Sequence, residues 1–280
     1  MAKTIIPKTI GILGPGAIGG LLAQRLAACG HRMVLLGRGE RLTEPVDLLF
    51  ITVKSPHLVE ALAQVPREHV VGAVTVPLLN GAGHAAAVRA ALGTPVAAGT
   101  IGSVEAVVED GVAKQLSVNP PHIDLASREV SREMLNTIAE ILRDAGLSVS
   151  VLDSEEEVVW KKLVRLNAIA TATAAAGQPL GMVRTDPVWR PVLEALVQES
   201  SAVAAAEGVA VPPAQVLADI DKLPASLMTS LQRDIAAGKP SELDAIPGGV
   251  LALAARYGVA CPVLAAQYAA LIKHTKSPIV

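Results

Sequence analysis

Short, nearly continuous apolar runs alternate with helical patterns through the first half of the chain. The runs are TIGIL (Thr9–Leu13), HRMVLLG (His31–Gly37), DLLFITV (Asp47–Val53), AVTVPLL (Ala73–Leu79) and PVAAGTI (Pro95–Ile101). Helical patterns at Gly19–Cys29, Pro56–Gln64 and Gly83–Leu92 separate most of them. Strand–helix alternation of this kind predicts an α/β fold with a parallel, doubly wound sheet, and runs apolar at nearly every position suit strands covered by helices on both faces. Val112–Val118 and His122–Ala126 have no helix between them and read as an antiparallel extension. A helix at Val130–Ala145 and a last strand at Leu147–Leu152 complete this half.

The pattern changes at DSEEEVVW, residues 153–160. Asp153 or Ser154 can cap a helix, and Glu155–Glu157 sit where the positive end of the helix dipole favours acids. From there to Lys273 the periodicity is helical, punctuated by Pro187, Pro212, Pro213, Pro224, Pro240, Pro247 and Pro262. The chain therefore divides near residue 152 into an α/β domain, 1–152, and an all-α domain, 153–280.

Composition narrows the function classes. Hydrophobic residues make up 51% of the 280 positions but aromatics only 2%, so Ala, Val and Leu must fill the core. A formal net charge of −2 argues against a general nucleic-acid binder, which needs a basic surface to neutralise phosphates. Cys29 and Cys261, far apart, form neither a disulfide framework nor a metal-ligand spacing, and fit a reducing, cytoplasmic setting. The N-terminus lacks the apolar core of a signal peptide. The most apolar long stretch, Leu163 to Val183, contains Arg165, Asn167, Gln178 and Pro179, and reads as a buried helix rather than a membrane span.

Candidate chemistry begins in TIGILGPGAIGGLLAQRL, Thr9 to Leu26. Gly14, Gly16 and Gly19 follow a strand and open a helix. In a dinucleotide-binding loop the first glycine makes the tight turn, the second lets backbone approach a pyrophosphate, and the third packs helix on strand. The strand–loop–helix context supports that role for Gly14, Pro15, Gly16, Ala17, Ile18 and Gly19, and makes the first domain Rossmann-like. The end of the second strand reads VLLGRGERL. Arg38 stands where an NAD site expects an acid, and a guanidinium suits the 2′-phosphate of NADP by charge and forked geometry. NADPH is thus the expected cofactor.

Four more stretches carry a resemblance: ITVKSPHLVEAL, with Lys54 after a strand; LLNGAG, with Asn80 after the next; VVWKKLVRLNAI, with Lys161 and Lys162; and LMTSLQRDIAAGKPSELDAIPGGVLALAARYGVACP. Together with the glycine loop, and in this order over almost the whole chain, they resemble the ketopantoate reductase (2-dehydropantoate 2-reductase) family. The resemblance implies NADPH-dependent reduction of a branched 2-keto acid on the route to pantothenate and coenzyme A. It implies that Lys162 is the catalytic lysine and that Glu242 binds the substrate hydroxyl. Ser230 would help hold the substrate carboxylate, Asn80 would stand between cofactor and substrate, and Lys54 would lie near the nicotinamide.

That chemistry is sensible in itself. Hydride addition to a ketone builds negative charge on the carbonyl oxygen, which an ammonium can stabilise and protonate. Lys54 and Asn80 are expected at the carboxyl ends of parallel strands, where such folds bind ligands. Two features depart from the family pattern. The Arg38–Asp47 segment is short. The positions four and eight residues beyond the lysine, asparagines in the family, are Leu166 and Ala170. Asn167 would substitute as a substrate ligand only on a shifted helix, since it lies about 140° around from Lys162. These changes keep open a related hydroxy-acid dehydrogenase or imine reductase, or a silent dinucleotide sensor. A helical domain rich in small residues can also pack on a second copy, so a homodimer is expected.

Overall fold

A computed structural model describes residues 7–276. The chain forms two compact units, one comprising residues up to Leu79 with Gly83–Val158, the other Asn80–Ala82 with the chain from Val159 onward. The sequence pattern changes at residue 152; the units part six residues later, inside a helix, and three residues of the strand-rich half belong to the helical unit.

The first unit is built on β1 (Thr9–Leu13), α1 (Ala17–Ala28), β2 (Arg32–Leu36), β3 (Leu48–Ile51) and β4 (Val74–Pro77). These strands form a parallel sheet in the order β2-β1-β3-β4. All four residues of β3 are buried, because successive side chains point to opposite faces and both faces are covered. Leu48 and Phe50 join the cluster that includes α1 residues Leu22 and Leu26. Leu49 and Ile51 join the opposite cluster, with Leu58 and Leu62 of α2 (Leu58–Leu62) and Val88 of α3 (His84–Leu92).

Beyond β4 the sheet changes character. Val96 bridges Thr75 in parallel, and the chain continues as β5 (Ala98–Gly102). Next come β6 (Ala106–Glu109), β7 (Val112–Gln115) and β8 (His122–Ala126), followed by α4 (Arg132–Asp144) and β9 (Ser148–Val151). β8 lies between β5, antiparallel, and β9, parallel.

Of the two runs read as an antiparallel extension, His122–Ala126 is β8 and runs antiparallel to β5, whereas Val112–Val118 supplies β7 and does not join that sheet. β7 pairs instead with β6, a strand that the apolar pattern did not predict. The cause is the turn Glu109-Asp110-Gly111-Val112, where Asp110 (φ 51°) and Gly111 (φ 77°) both take positive φ. That is the backbone of a two-residue hairpin matched to strand twist. The expected Pro56–Gln64 helix is also shorter: a 3-10 turn, Ser55–His57, precedes the five-residue α2.

The second unit is helical. α5 (Glu155–Ala176) starts behind Ser154, whose hydroxyl accepts the Glu157 N–H at 3.0 Å. It is followed by α6 (Leu180–Thr185), α7 (Trp189–Ala206), α8 (Pro213–Asp221), α9 (Ser230–Ala236), α10 (Pro247–Tyr257) and α11 (Pro262–Lys276). Proline opens α8, α10 and α11, where its missing N–H costs nothing. Trp160 of α5 is the largest fully buried side chain, and its indole N–H donates to Glu207 Oε2 at 2.7 Å, beyond the last residue of α7.

That bond and the bulk of the ring separate in two variants. Trp160→Phe, which keeps an aromatic ring but no donor, is expected to cost about 1–2 kcal/mol. Trp160→Ala adds a cavity and is expected to cost about 3–5 kcal/mol. Urea denaturation midpoints check both.

Candidate active site

Within the helical unit, three of the singled-out residues are joined. Lys162 Nζ donates to Asn80 Oδ1 at 2.6 Å, and Asn80 Nδ2 donates to Glu242 Oε2 at 2.9 Å. The amide orientation follows from chemistry. A swapped amide would set its oxygen against the carboxylate and its N–H groups against the ammonium. Glu242 is only 6% exposed, so its charge is held away from water and needs partners.

Each element places its group for a local reason. Lys162 lies on α5, two residues beyond the buried Trp160. Lys161, one position earlier, is exposed, whereas Lys162 is half-buried. Glu242 begins the turn that leads into α10, and its carbonyl accepts the N–H groups of Ala245 and Ile246 at 3.2 and 2.9 Å. Asn80 is carried by the tripeptide Asn80-Gly81-Ala82, where Ala82 N–H donates to the Ala245 carbonyl at 3.2 Å. Gly81 has φ +102°, and a Cβ there would lie 2.3 Å from the same oxygen. Only glycine permits this approach.

Asn167 is corrected. Expected as a substrate ligand, it is fully buried, with Nδ2 donating to Ser200 Oγ of α7 at 2.9 Å and Oδ1 accepting from Thr171 at 3.2 Å. α5 is not shifted, so five residues from Lys162 carries Asn167 around into the helical core. Leu166 is half-buried against that core and Ala170 is fully buried. Ser230 is exposed as the first residue of α9, which Thr229 caps through a 3.2 Å bond from Gln232 N–H. No hydrogen bond among the described residues ties Ser230 to the Lys162–Asn80–Glu242 chain.

The glycine loop lies in the first unit. Gly14 has φ +93°, and its N–H donates to the Leu36 carbonyl at 2.9 Å, setting the loop against the end of β2. Gly16 precedes α1 with no side-chain cap and no acid in the first helical turn, and a Cβ on it would meet nothing within 4 Å. An open helix N-terminus with uncapped N–H groups fits a phosphate. Gly19 is buried, and a Cβ there would lie 2.3 Å from Thr52 Oγ1 and 2.4 Å from the Gly14 carbonyl oxygen. Thr52 supports the loop by donating to that oxygen at 2.7 Å; the sequence reading passed over it. Pro15, Ala17 and Ile18 fill the loop and the first turn of α1. Arg38 is exposed just beyond β2, and Lys54 is exposed at the start of the 3-10 turn after β3.

Family models agree with the resemblance. A model described as "Ketopantoate reductase PanE/ApbA" matches residues 40–121, and one described as "Ketopantoate reductase PanE/ApbA C terminal" matches residues 154–275. A 2-dehydropantoate 2-reductase of Halobacterium salinarum is 27% identical over 90% of this chain and 94% of its own. A solved D-mandelate dehydrogenase, in ternary complex with NADH and anilino(oxo)acetate, superposes with a TM-score of 0.85 at 18% identity, covering 97% of this chain and all of that one. A dimeric ketopantoate reductase from Staphylococcus aureus superposes with a TM-score of 0.81 at 18% identity, covering 96% and 99% of the two chains. At such identities these two structures establish the fold.

The docking of the tripeptide is open to test with paired variants. Gly81→Ala combines an unfavourable φ of +102° with a backbone clash, whereas Gly83→Ala meets a positive φ of +85° with nothing within 4 Å. Strain of this kind costs about 1–3 kcal/mol. Gly81→Ala is expected to lose clearly more stability than Gly83→Ala in thermal or urea denaturation.

Proposed function

Because the chain belongs to the ketopantoate reductase family, we propose that it reduces a small 2-keto acid with NADPH, ketopantoate being the first substrate to test. The chain is an oxidoreductase that uses a nicotinamide dinucleotide. The observation that carries the reading further is the hydrogen-bonded chain Lys162–Asn80–Glu242. It joins one ammonium, one amide and one buried carboxylate, the groups a ketone reduction needs.

The bound cofactor supplies the hydride. The protein supplies the rest. As the carbonyl oxygen gains negative charge, the Lys162 ammonium stabilises it and delivers a proton to it. Asn80 holds Nζ in one direction through its Oδ1, so less orientation has to be fixed during reaction. Glu242 keeps the amide turned and offers its other oxygen to a substrate hydroxyl. Ser230 at the start of α9 is proposed to hold the substrate carboxylate. The uncapped start of α1 would receive the pyrophosphate and Arg38 the 2′-phosphate, and Lys54 would serve the nicotinamide end. Pantoate made in this way would feed pantothenate and coenzyme A synthesis. A homodimer is proposed, as named for the Staphylococcus aureus relative.

A second reading concerns the substrate side chain. Leu166, half-buried on the turn of α5 that follows Lys162, offers no hydrogen bond there. This favours a 2-keto acid with an apolar substituent over one with a hydroxyl. A site built to bind a hydroxyl rejects the analogue lacking it by about 10⁴-fold, whereas an apolar site separates the two by only about 10²-fold.

Cofactor oxidation at 340 nm with ketopantoate beside 3,3-dimethyl-2-oxobutanoate, its analogue without the hydroxyl, decides between the readings by the ratio of kcat/KM. Lys162→Ala is expected to lower kcat by about 10²–10⁴-fold while leaving NADPH affinity within a few-fold. Wild-type protein that binds NADPH but reduces no 2-keto acid would sink the proposal.

A further inference from the structure

The end of β2 carries a carboxylate that the roles above leave unused. Gly14 N–H donates to the Leu36 carbonyl, so the last residue of β2 lies against the glycine loop. From Leu36 the chain enters no helix but turns through Gly37–Glu40. Glu40 folds back, and its Oε2 accepts the Gly37 N–H at 2.6 Å. The Gln64 amide, oriented to satisfy its neighbours, donates to the Gly37 and Glu40 carbonyls at 3.2 and 3.1 Å and accepts from Gly39 N–H at 2.8 Å. The turn is therefore fixed from two sides, with the Glu40 carboxylate anchored at the first residue after β2. Arg38, between these anchors, is exposed and makes no hydrogen bond among the described residues.

This is the place in a dinucleotide-binding fold where the adenosine ribose is read, by an acid for NAD or an arginine for NADP. An ionised carboxylate only accepts hydrogen bonds, so it suits a 2′-hydroxyl and repels a 2′-phosphate. A guanidinium does the reverse, and this turn presents both.

We propose that Glu40 is a cofactor-selecting residue, accepting the 2′-hydroxyl of NADH and opposing the 2′-phosphate of NADPH, so that the chain binds both dinucleotides with similar affinity. The proposal rests on the dinucleotide-binding reading above and broadens its choice of cofactor. The short β2–β3 connection is what makes it work. With the turn tied back by Glu40 and Gln64, the exposed carboxylate is held beside the end of β2.

The test is isothermal titration calorimetry of NADPH and NADH into the full-length protein at low salt, for wild type, Glu40→Gln and Arg38→Ala. Glutamine keeps an oxygen for the Gly37 N–H and removes only the charge, which an unchanged Tm verifies. Wild type is expected to bind the two within about tenfold, and Glu40→Gln to widen the ratio about tenfold toward NADPH. Arg38→Ala is expected to weaken NADPH alone. A Glu40→Gln ratio within about threefold of wild type overturns the proposal and leaves the reductase reading standing. Failure of wild type to bind either dinucleotide overturns both.

Discussion

A carboxylate removed from water must be answered by donors, and around Glu242 that requirement organises the helical unit. Its partner, Asn80, comes from far away in sequence, so the tripeptide 80–82 has to reach the turn before α10. That approach brings Gly81 against the Ala245 carbonyl, where no side chain fits. The amide that satisfies the carboxylate is thereby turned with its oxygen toward Lys162. Solvation cost, backbone conformation and lysine orientation are thus consequences of one another. Removing a partner from a buried charge of this kind costs more than the bond itself is worth.

Much of this plan was legible in the sequence. Strand runs apolar at nearly every position mark a sheet covered on both faces, and β3 is the clearest case. The glycine spacing marked a loop whose third glycine touches Thr52, and the prolines marked helix starts at α8, α10 and α11. The β6–β7 pairing escaped because β6, Ala-Val-Val-Glu with no buried residue, carries too brief an apolar run to stand out, which leaves the Asp110-Gly111 turn as its signal. Asn167 is a core residue because α5 makes no helix shift, which alone would turn it toward Lys162. The Asn80 bridge could not be read from spacing at all. The three residues are remote in sequence, and only the family resemblance grouped them.

The edge of the sheet shows how a short connection is held in place. With no helix between β2 and β3, the residues after Leu36 must reverse the chain without a helix to support them. Glu40 and Gln64 secure the reversal with side-chain hydrogen bonds, which hold a tight turn without secondary structure on its far side. β2 is the edge strand of this sheet, with Leu35 exposed.

The allocation of Asn80–Ala82 bears on modularity. The boundary inside α5 suggests two portable pieces, yet the helical piece is incomplete as a continuous segment. Excised from Val159 onward, it would carry Glu242 without its amide and Ala245 without the strand-end loop that covers it. A gene fusion or domain exchange that respects only the linear boundary would therefore transplant a defective module. Recombination that preserves the module must move the loop after β4 together with the helices, so the two halves of this gene are bound to evolve together.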